Sequence, residues 1–244
     1  MKYLEKKGFQ ISCLPVDPYG WVDAGKIREA VTPKTILISI MAANNEIGTL
    51  QPTTEIGKIA KEKGVLFHVD AAQAAGKIPL DVEKMGIDLL SFSGHKMYGP
   101  KGIGALYVRK KNPRVRLAPL IHGGGHEGGL RSGTLDVPGV VGFGKACEIA
   151  EKEMPGESAR ILGLRQKLFK KITGGLEGVY LNGHPEKRLA GNLNLSFLSV
   201  EGESLLMSLS ESIAVSSGSA CSSGRVELSY VLKALKLPEE RVHT

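Results

Sequence analysis

Four short apolar runs in the first half of the chain, each closed by small or polar residues, constrain the fold more than any other feature. Residues 35–41 (Thr-Ile-Leu-Ile-Ser-Ile-Met) are rich in β-branched side chains and read as a buried strand. Asn44, Asn45 and Gly48 follow as a turn. Val65 to Val69 runs into Asp70, and Asp88 to Phe92 runs into Ser93. Ile103 to Val108 is the fourth strand candidate. A helix fits residues 53–63, with Thr53 or Thr54 as cap, Ile56, Ile59 and Ala60 on one face, and Gly64 as terminator. Strands alternating with helical segments predict an α/β domain with a mostly parallel sheet flanked by helices. Ligands of such sheets bind at the carboxyl ends of the strands. Asn45, Asp70 and Ser93 all fall there, so one site can collect all three.

Beyond Val137 the pattern changes. A helix is expected to Glu153, broken by Met154-Pro155-Gly156, with a second helix over residues 159–172. Asn192 to Phe197 alternates like a strand, Gly202 to Leu209 reads as helix, and Ile213 to Val215 as a short strand. A loop of small residues precedes a helix over residues 227–235. These readings divide the chain into a large domain, residues 1–153, and a smaller α+β domain, residues 154–244.

Composition removes several classes of function. The chain has 244 residues, 42% of them hydrophobic and 23% charged, as ordinary globular proteins do. No run of about 18 uncharged apolar residues could span a membrane, and the first residues lack the apolar core of a signal peptide. The net charge is +7, but the basic residues are scattered, and the densest cluster, Arg109 to Arg116, reads as a solvated loop. With aromatic residues at 5%, base-stacking platforms are absent and nucleic-acid binding is not expected. Cys13, Cys147 and Cys221 are far apart and odd in number. That is neither a disulfide framework nor a metal-ligand spacing, and it suits a reducing, cytoplasmic setting.

Chemistry concentrates in three places. Lys96 follows a strand end within Ser93-Gly94-His95-Lys96, where its amine can condense with an aldehyde, and Ser93 and His95 can donate to a phosphate. A lysine in a polar loop is the plain alternative. Asp70 closes the preceding strand in His68-Val69-Asp70-Ala71-Ala72-Gln73. A carboxylate there can keep a pyridine nitrogen protonated, which a pyridoxal ring needs as an electron sink. Gln73 can reach the ring hydroxyl, and the interval to Lys96 leaves room for a helix and a strand. Asp70 could instead be a helix cap. Cys221 lies among serines and glycines, a run too small to build a core, which suits an exposed nucleophilic thiol. Cys147 and Cys13 read as small buried hydrophobes. His122 and His126 flank three glycines, which favour a loop over a helical metal site.

Asn44-Asn45-Glu46-Ile47-Gly48, the Asp70 and Lys96 segments, and Ser216-Ser217-Gly218-Ser219-Ala220-Cys221 occur in this order. The set resembles the cysteine desulfurases of iron–sulfur cluster assembly, in the class V aminotransferase group of fold type I pyridoxal-phosphate enzymes. The resemblance implies that Lys96 holds pyridoxal 5'-phosphate as a Schiff base, Asp70 pairs with the ring nitrogen and Gln73 contacts the ring oxygen. It places Asn45 near the ring and the substrate carboxylate, and Ser93 and His95 on the phosphate. Arg131-Ser132-Gly133-Thr134 matches a segment whose threonine reaches the phosphate of the partner subunit, which implies a homodimer. Cys221 would take sulfur from L-cysteine as a persulfide, leaving L-alanine, and pass it to an iron–sulfur scaffold or another acceptor protein. No intrinsic metal site is implied, although Cys221 could transiently ligate an iron–sulfur cluster.

Family members are longer at the N-terminus, where they carry a Gly/Thr phosphate loop and a ring-stacking histidine. Neither is found before Asn45, and the family's carboxylate-binding arginine lies just beyond the segment at which the chain stops. The resemblance therefore implies a fragment, a mis-assigned start or one half of a split gene, with an unpaired sheet edge and a tendency to associate non-specifically. The alternatives are a non-catalytic, partner-binding remnant and a related selenocysteine lyase or aminotransferase. Transamination needs no thiol, so the setting of Cys221 favours the desulfurase.

Overall fold

The computed structural model describes residues 2–216 and 229–242. A short helix, α1 (Lys2–Glu5), and a long loop lead to α2 (Ala24–Ala30), capped by the Asp23 carboxylate accepting from Gly25 N at 2.8 Å. Then come β1 (Leu37–Met41), α3 (Thr53–Lys63), β2 (Leu66–Asp70), β3 (Leu89–Ser93) and β4 (Gly104–Val108). The sheet order is β1-β2-β3-β4; β1, β2 and β3 are parallel and β4 is antiparallel to β3. The mostly parallel sheet expected from the apolar runs is present.

Alternation along the strands gives the sheet two different faces. Phe67, Val69 and Leu90 pack with Ile56, Ile59 and Ala60 of α3 and Ile27 of α2 into the main core. Phe67, Val69 and Ile56 are fully buried, each worth about 1.5–3 kcal/mol of burial. Gly57 lets α3 lie against the turn before β3, since a Cβ there would sit 1.9 Å from the Met85 carbonyl oxygen. The opposite face is polar along one row. His68 is hydrogen-bonded to Ser39 of β1 (2.8 Å) and to Ser91 of β3 (3.1 Å). Burial pushes the imidazole below its ordinary range, against a smaller opposing pull from Asp70.

Gly64 ends α3 in the left-handed region, φ 67°, its N–H reaching the Ala60 and Lys61 carbonyls. The expected threonine cap is not formed: Pro52 occupies the cap position, and Thr53 is already the first helical residue. Arg109 corrects the reading of the basic cluster as solvated loop. It is buried, donates to the Glu83 carboxylate at 2.8 Å and to the Val82 and Ile87 carbonyls, and lies 3.1 Å from Asp88. Asp88 in turn accepts from Phe67 N at 2.9 Å. One guanidinium thus pins the turn between β2 and β3, in a segment of turns where a helix had room.

The break expected at Met154–Gly156 is absent. A single helix, α4 (Val137–Gly175), continues through Pro155. Proline forfeits one helical hydrogen bond, and contacts on both sides of it hold the helix in line. Phe143 meets Phe92 with ring centroids 5.5 Å apart, and Ser158 Oγ donates to the Lys77 carbonyl at 3.1 Å.

After α4, β5 (Val179–Leu181) and β6 (Leu195–Phe197) form an antiparallel pair, followed by α5 (Gly202–Leu209), α6 (Tyr230–Ala234) and α7 (Glu239–Val242). Ile213 to Val215 is exposed chain and not a strand, because nothing pairs with it among the described residues. The helix expected from residue 227 begins at Tyr230, where the Ser229 hydroxyl caps Leu232 N at 3.1 Å. Val231, Leu232 and Leu235 close a second core around Ile47. Leu37 and Met41 of β1 and Leu106 of β4 are exposed, and among the described residues neither outer edge of the sheet is paired. No helix among the described residues is long and apolar enough to cross a membrane.

Candidate functional site

The carboxyl ends of β1, β2 and β3 bring Asn45, Asp70, Ser93 and Lys96 to one edge of the sheet. Met41 is in register with Asp70, and Asp70 with Ser91. Asp70 is exposed, one carboxylate oxygen accepting from Ala72 N at 2.9 Å. Among the described residues it makes no ion pair. It is not a helix cap, since turns follow it. An accessible carboxylate with spare acceptor capacity suits a protonated ring nitrogen.

Lys96 lies half-buried on the 3-10 turn Gly94–Met97, which follows β3 directly. Gly94 N donates to the Ile103 carbonyl and Gly99 N to the Gly94 carbonyl, both at 2.9 Å. Gly94 is needed there, because a Cβ would stand 3.0–3.1 Å from Ile103 Cγ2 and the Pro100 carbonyl oxygen. Ser93 and His95 are hydrogen-bonded to each other at 2.8 Å, presenting a hydroxyl and an imidazole beside the lysine.

The two adjacent asparagines have different tasks. Asn44 is buried, and its side-chain oxygen accepts from Glu46 N (2.9 Å) and Ile47 N (3.0 Å). This Asx turn leaves Asn45 exposed between buried neighbours. Gln73 is half-buried in the turns after Asp70, its side-chain oxygen 3.4 Å from Lys77 Nζ. Lys77 has no signal in the sequence, where it is one of 32 lysines and arginines.

Thr134 stands apart on an exposed loop, and among the described residues no hydrogen bond joins it to the others. That loop is ordered by Arg131 donating to the Gly133 carbonyl (2.9 Å) and by Ser132 accepting from Gly125 N (3.2 Å). His126 accepts from Gly133 N at 3.3 Å, within a glycine-rich loop as expected. Cys221 lies outside the described residues. Cys13 is exposed, contrary to its reading as a buried hydrophobe, because the segment around it packs few side chains inward. Cys147 is half-buried on α4, and burial pushes its thiol up. Among the described residues no cluster of histidine, cysteine and carboxylate could hold a metal.

An amine, an accessible carboxylate, a hydroxyl–imidazole pair and a carboxamide around one sheet edge form a donor set that fits pyridoxal phosphate: one group for each polar corner of the cofactor. Comparison with known proteins agrees. The class-V aminotransferase family model matches residues 1–236. The mitochondrial cysteine desulfurase of Arabidopsis thaliana is 56% identical over 243 residues, covering 100% of this chain and 53% of that protein. Cysteine desulfurase IscS of Rickettsia bellii is 53% identical, again over 100% of this chain and 59% of the relative. The solved structure of a NifS-like protein superposes with a TM-score of 0.88 at 40% identity, covering 100% of this chain and 63% of that one. The chain thus spans little more than half the length of these curated relatives, and its fold is the fold type I architecture expected from the sequence. On the family match over residues 1–236 and the arrangement at the sheet edge, the chain belongs to the class-V aminotransferases.

Proposed function

We propose that the chain is the larger part of a pyridoxal-phosphate-dependent cysteine desulfurase. The observation that carries this reading is the placement of Asp70 and Lys96 at the ends of neighbouring parallel strands, one an exposed carboxylate with no ion pair among the described residues and the other a half-buried amine. The names of the relatives supply the reaction.

When bound, the cofactor supplies an electron sink conjugated to the substrate amine. The protein groups then divide the work. Asp70 holds the proton on the ring nitrogen. Lys96 holds the cofactor between turnovers and can carry a proton to or from the substrate. Ser93 and His95 bind the phosphate, Gln73 donates to the ring oxygen, and Asn45 orients the substrate carboxylate. Thr134, on an exposed loop and not hydrogen-bonded to this group among the described residues, would reach the phosphate in the partner subunit of a homodimer. Cys221 would accept the sulfur of L-cysteine as a persulfide, L-alanine being the other product, and hand it to an acceptor protein for iron–sulfur cluster assembly or other sulfur traffic. With relatives from a bacterium and from a mitochondrion, the setting is a reducing one, cytoplasmic in a bacterium. A division at residues 153/154 would make α4 a stem shared by both parts.

The test is the absorbance spectrum of the purified chain after adding pyridoxal phosphate, beside Lys96→Ala. A band near the visible edge that disappears in the variant supports the reading. The same band in both proteins refutes the Lys96 site, and no band in either refutes cofactor binding by this chain. With the site loaded, Cys221→Ala should abolish sulfide release from cysteine and leave the band intact.

A further inference from the structure

We propose that Lys77 is a positioning residue of this site: its ammonium holds the oxygen of the Gln73 carboxamide, so that the amide NH2 is the end offered to the cofactor. The proposal rests on the reading of Gln73 as the partner of the ring oxygen.

A carboxamide can present either end to a ligand, and its neighbours decide which. Lysine has donors and no acceptor, so the 3.4 Å contact from Lys77 Nζ requires the oxygen of Gln73 on that side. The two donors of the amide then point elsewhere. A ring oxygen carrying negative charge needs a donor, so the orientation that Lys77 enforces is the useful one.

The backbone between the two side chains is held as well. Ala74 N and Ala75 N donate to the Ala71 carbonyl, and Lys77 N to the Ala74 carbonyl at 3.0 Å. Ser158 of α4 donates to the Lys77 carbonyl. Gly76, at φ 72°, lies so close to Met97 and Ala150 that a Cβ would meet them at 3.1–3.3 Å. The turn is therefore wedged between α4 and the 3-10 turn that carries Lys96.

Lys77 itself is half-buried, and among the described residues it has no carboxylate partner and no hydrogen-bond acceptor for its amine but Gln73. Burial pushes its amine down, and the charge of Lys96, on the facing turn, adds to the effect. From α4, the uncharged Ser158 hydroxyl meets its backbone carbonyl. An ammonium kept in such surroundings without a counter-charge costs stability, which is the pattern of a group retained for a site.

Two measurements test the proposal. In the chain without cofactor, competitive acetylation with acetic anhydride, read by peptide mass spectrometry, reports the reactivity of Lys77. Gln73→Glu replaces the amide oxygen by a carboxylate and should slow Lys77 acetylation about tenfold near pH 8, the effect of about one pKa unit. Equal rates in both proteins would overturn the contact. In the chain with pyridoxal phosphate, Lys77→Met and Gln73→Leu should shift the pH midpoint of the absorbance band by the same amount, the double variant should add nothing, and Lys77→Arg should restore the original midpoint. An unmoved midpoint in Lys77→Met, or additive shifts, would defeat the positioning role. Borohydride treatment separates the two levels. If no reduced adduct forms at Lys96, the cofactor reading fails and this proposal with it. If the adduct forms but Lys77→Met behaves as the unaltered chain, the proposal alone fails.

Discussion

The loop that carries Asn45 and the loop that carries Lys96 meet at the same edge of the same sheet, yet they are shaped by different parts of the chain. Residues 94–103 close on themselves: Gly94 bonds to Ile103, Gly99 bonds back to Gly94, and Tyr98 adopts φ 62° to turn the corner. Residues 44–49 have their own turn bonds and are also held from afar. Arg188 donates to the Ile47 carbonyl at 3.0 Å across 141 residues, and Asn192 to the Glu46 carbonyl at 2.8 Å across 146. The Ser229 hydroxyl donates to the Glu46 carboxylate across 183. Burial, reinforced by Arg165, depresses the Arg188 guanidinium to about 10, and two of its nitrogens have no partner among the described residues. The Lys96 loop is therefore hydrogen-bonded locally, while the Asn45 loop adds to its own Asx turn a set of bonds from the C-terminal part of the chain.

If that contrast is right, substitutions far away in sequence should disturb the Asn45 loop more than substitutions inside the Lys96 loop disturb theirs. The largest effect is expected for Gly183→Ala. Its Cβ would lie 2.5 Å from the Ile47 carbonyl oxygen, at a residue with φ 85°. A backbone oxygen cannot rotate away, so a loss of about 3 kcal/mol is expected in urea unfolding. Asn192→Ala comes next. It removes an acceptor 2.6 Å from Arg188 and a donor to Glu46, and should cost about 2 kcal/mol while speeding amide exchange at Ile47 and Leu50. Exchange unchanged in residues 44–50 would break the comparison.

Glu46→Gln tests the same loop by pH. Burial, partly countered by the Ser229 hydroxyl, holds the Glu46 carboxyl above its ordinary range. The folded chain therefore holds that proton more tightly than the unfolded chain, and Glu46 weakens the fold as pH rises from the ordinary carboxylate range through the raised value. The glutamine variant should be the more stable at pH 7, and the difference should close on acidification. A difference that grows on acidification would contradict it. Ser93→Ala should have the smallest effect. It removes a hydrogen bond to the exposed His95 and should move the unfolding midpoint by less than about 0.5 kcal/mol, with exchange in residues 44–50 untouched.

The contrast also explains what was legible in the sequence. Apolar runs marked β1 to β4, and accessibility alternates with period two along β1 and β2. The apolar run of β1 predicts a buried strand, but at the edge of the sheet none of its residues is fully buried. Asp70, Ser93 and Lys96 could be placed because each lies at or just beyond a strand end. Pro155 misled for the converse reason: local propensity predicts a break, and the contacts of Phe143 and Ser158 override it. Arg109 misled likewise, since nothing nearby in sequence shows that Glu83 and Asp88 will fold onto it.

By itself the sequence determined the four strands of the main sheet with the helix between the first two, the polar residues at the strand ends and the motif set that identifies the family. These depend on alternation, turn chemistry and neighbours within a few residues. Only the tertiary structure decided that Asn44 anchors while Asn45 is exposed, that Glu46 and Ile47 are gripped by Arg188, Asn192 and Ser229, and that Lys77 turns the amide of Gln73. Those assignments depend on which side chains share a buried space. A linear sequence does not state that until the cores around Phe67 and Ile47 have closed.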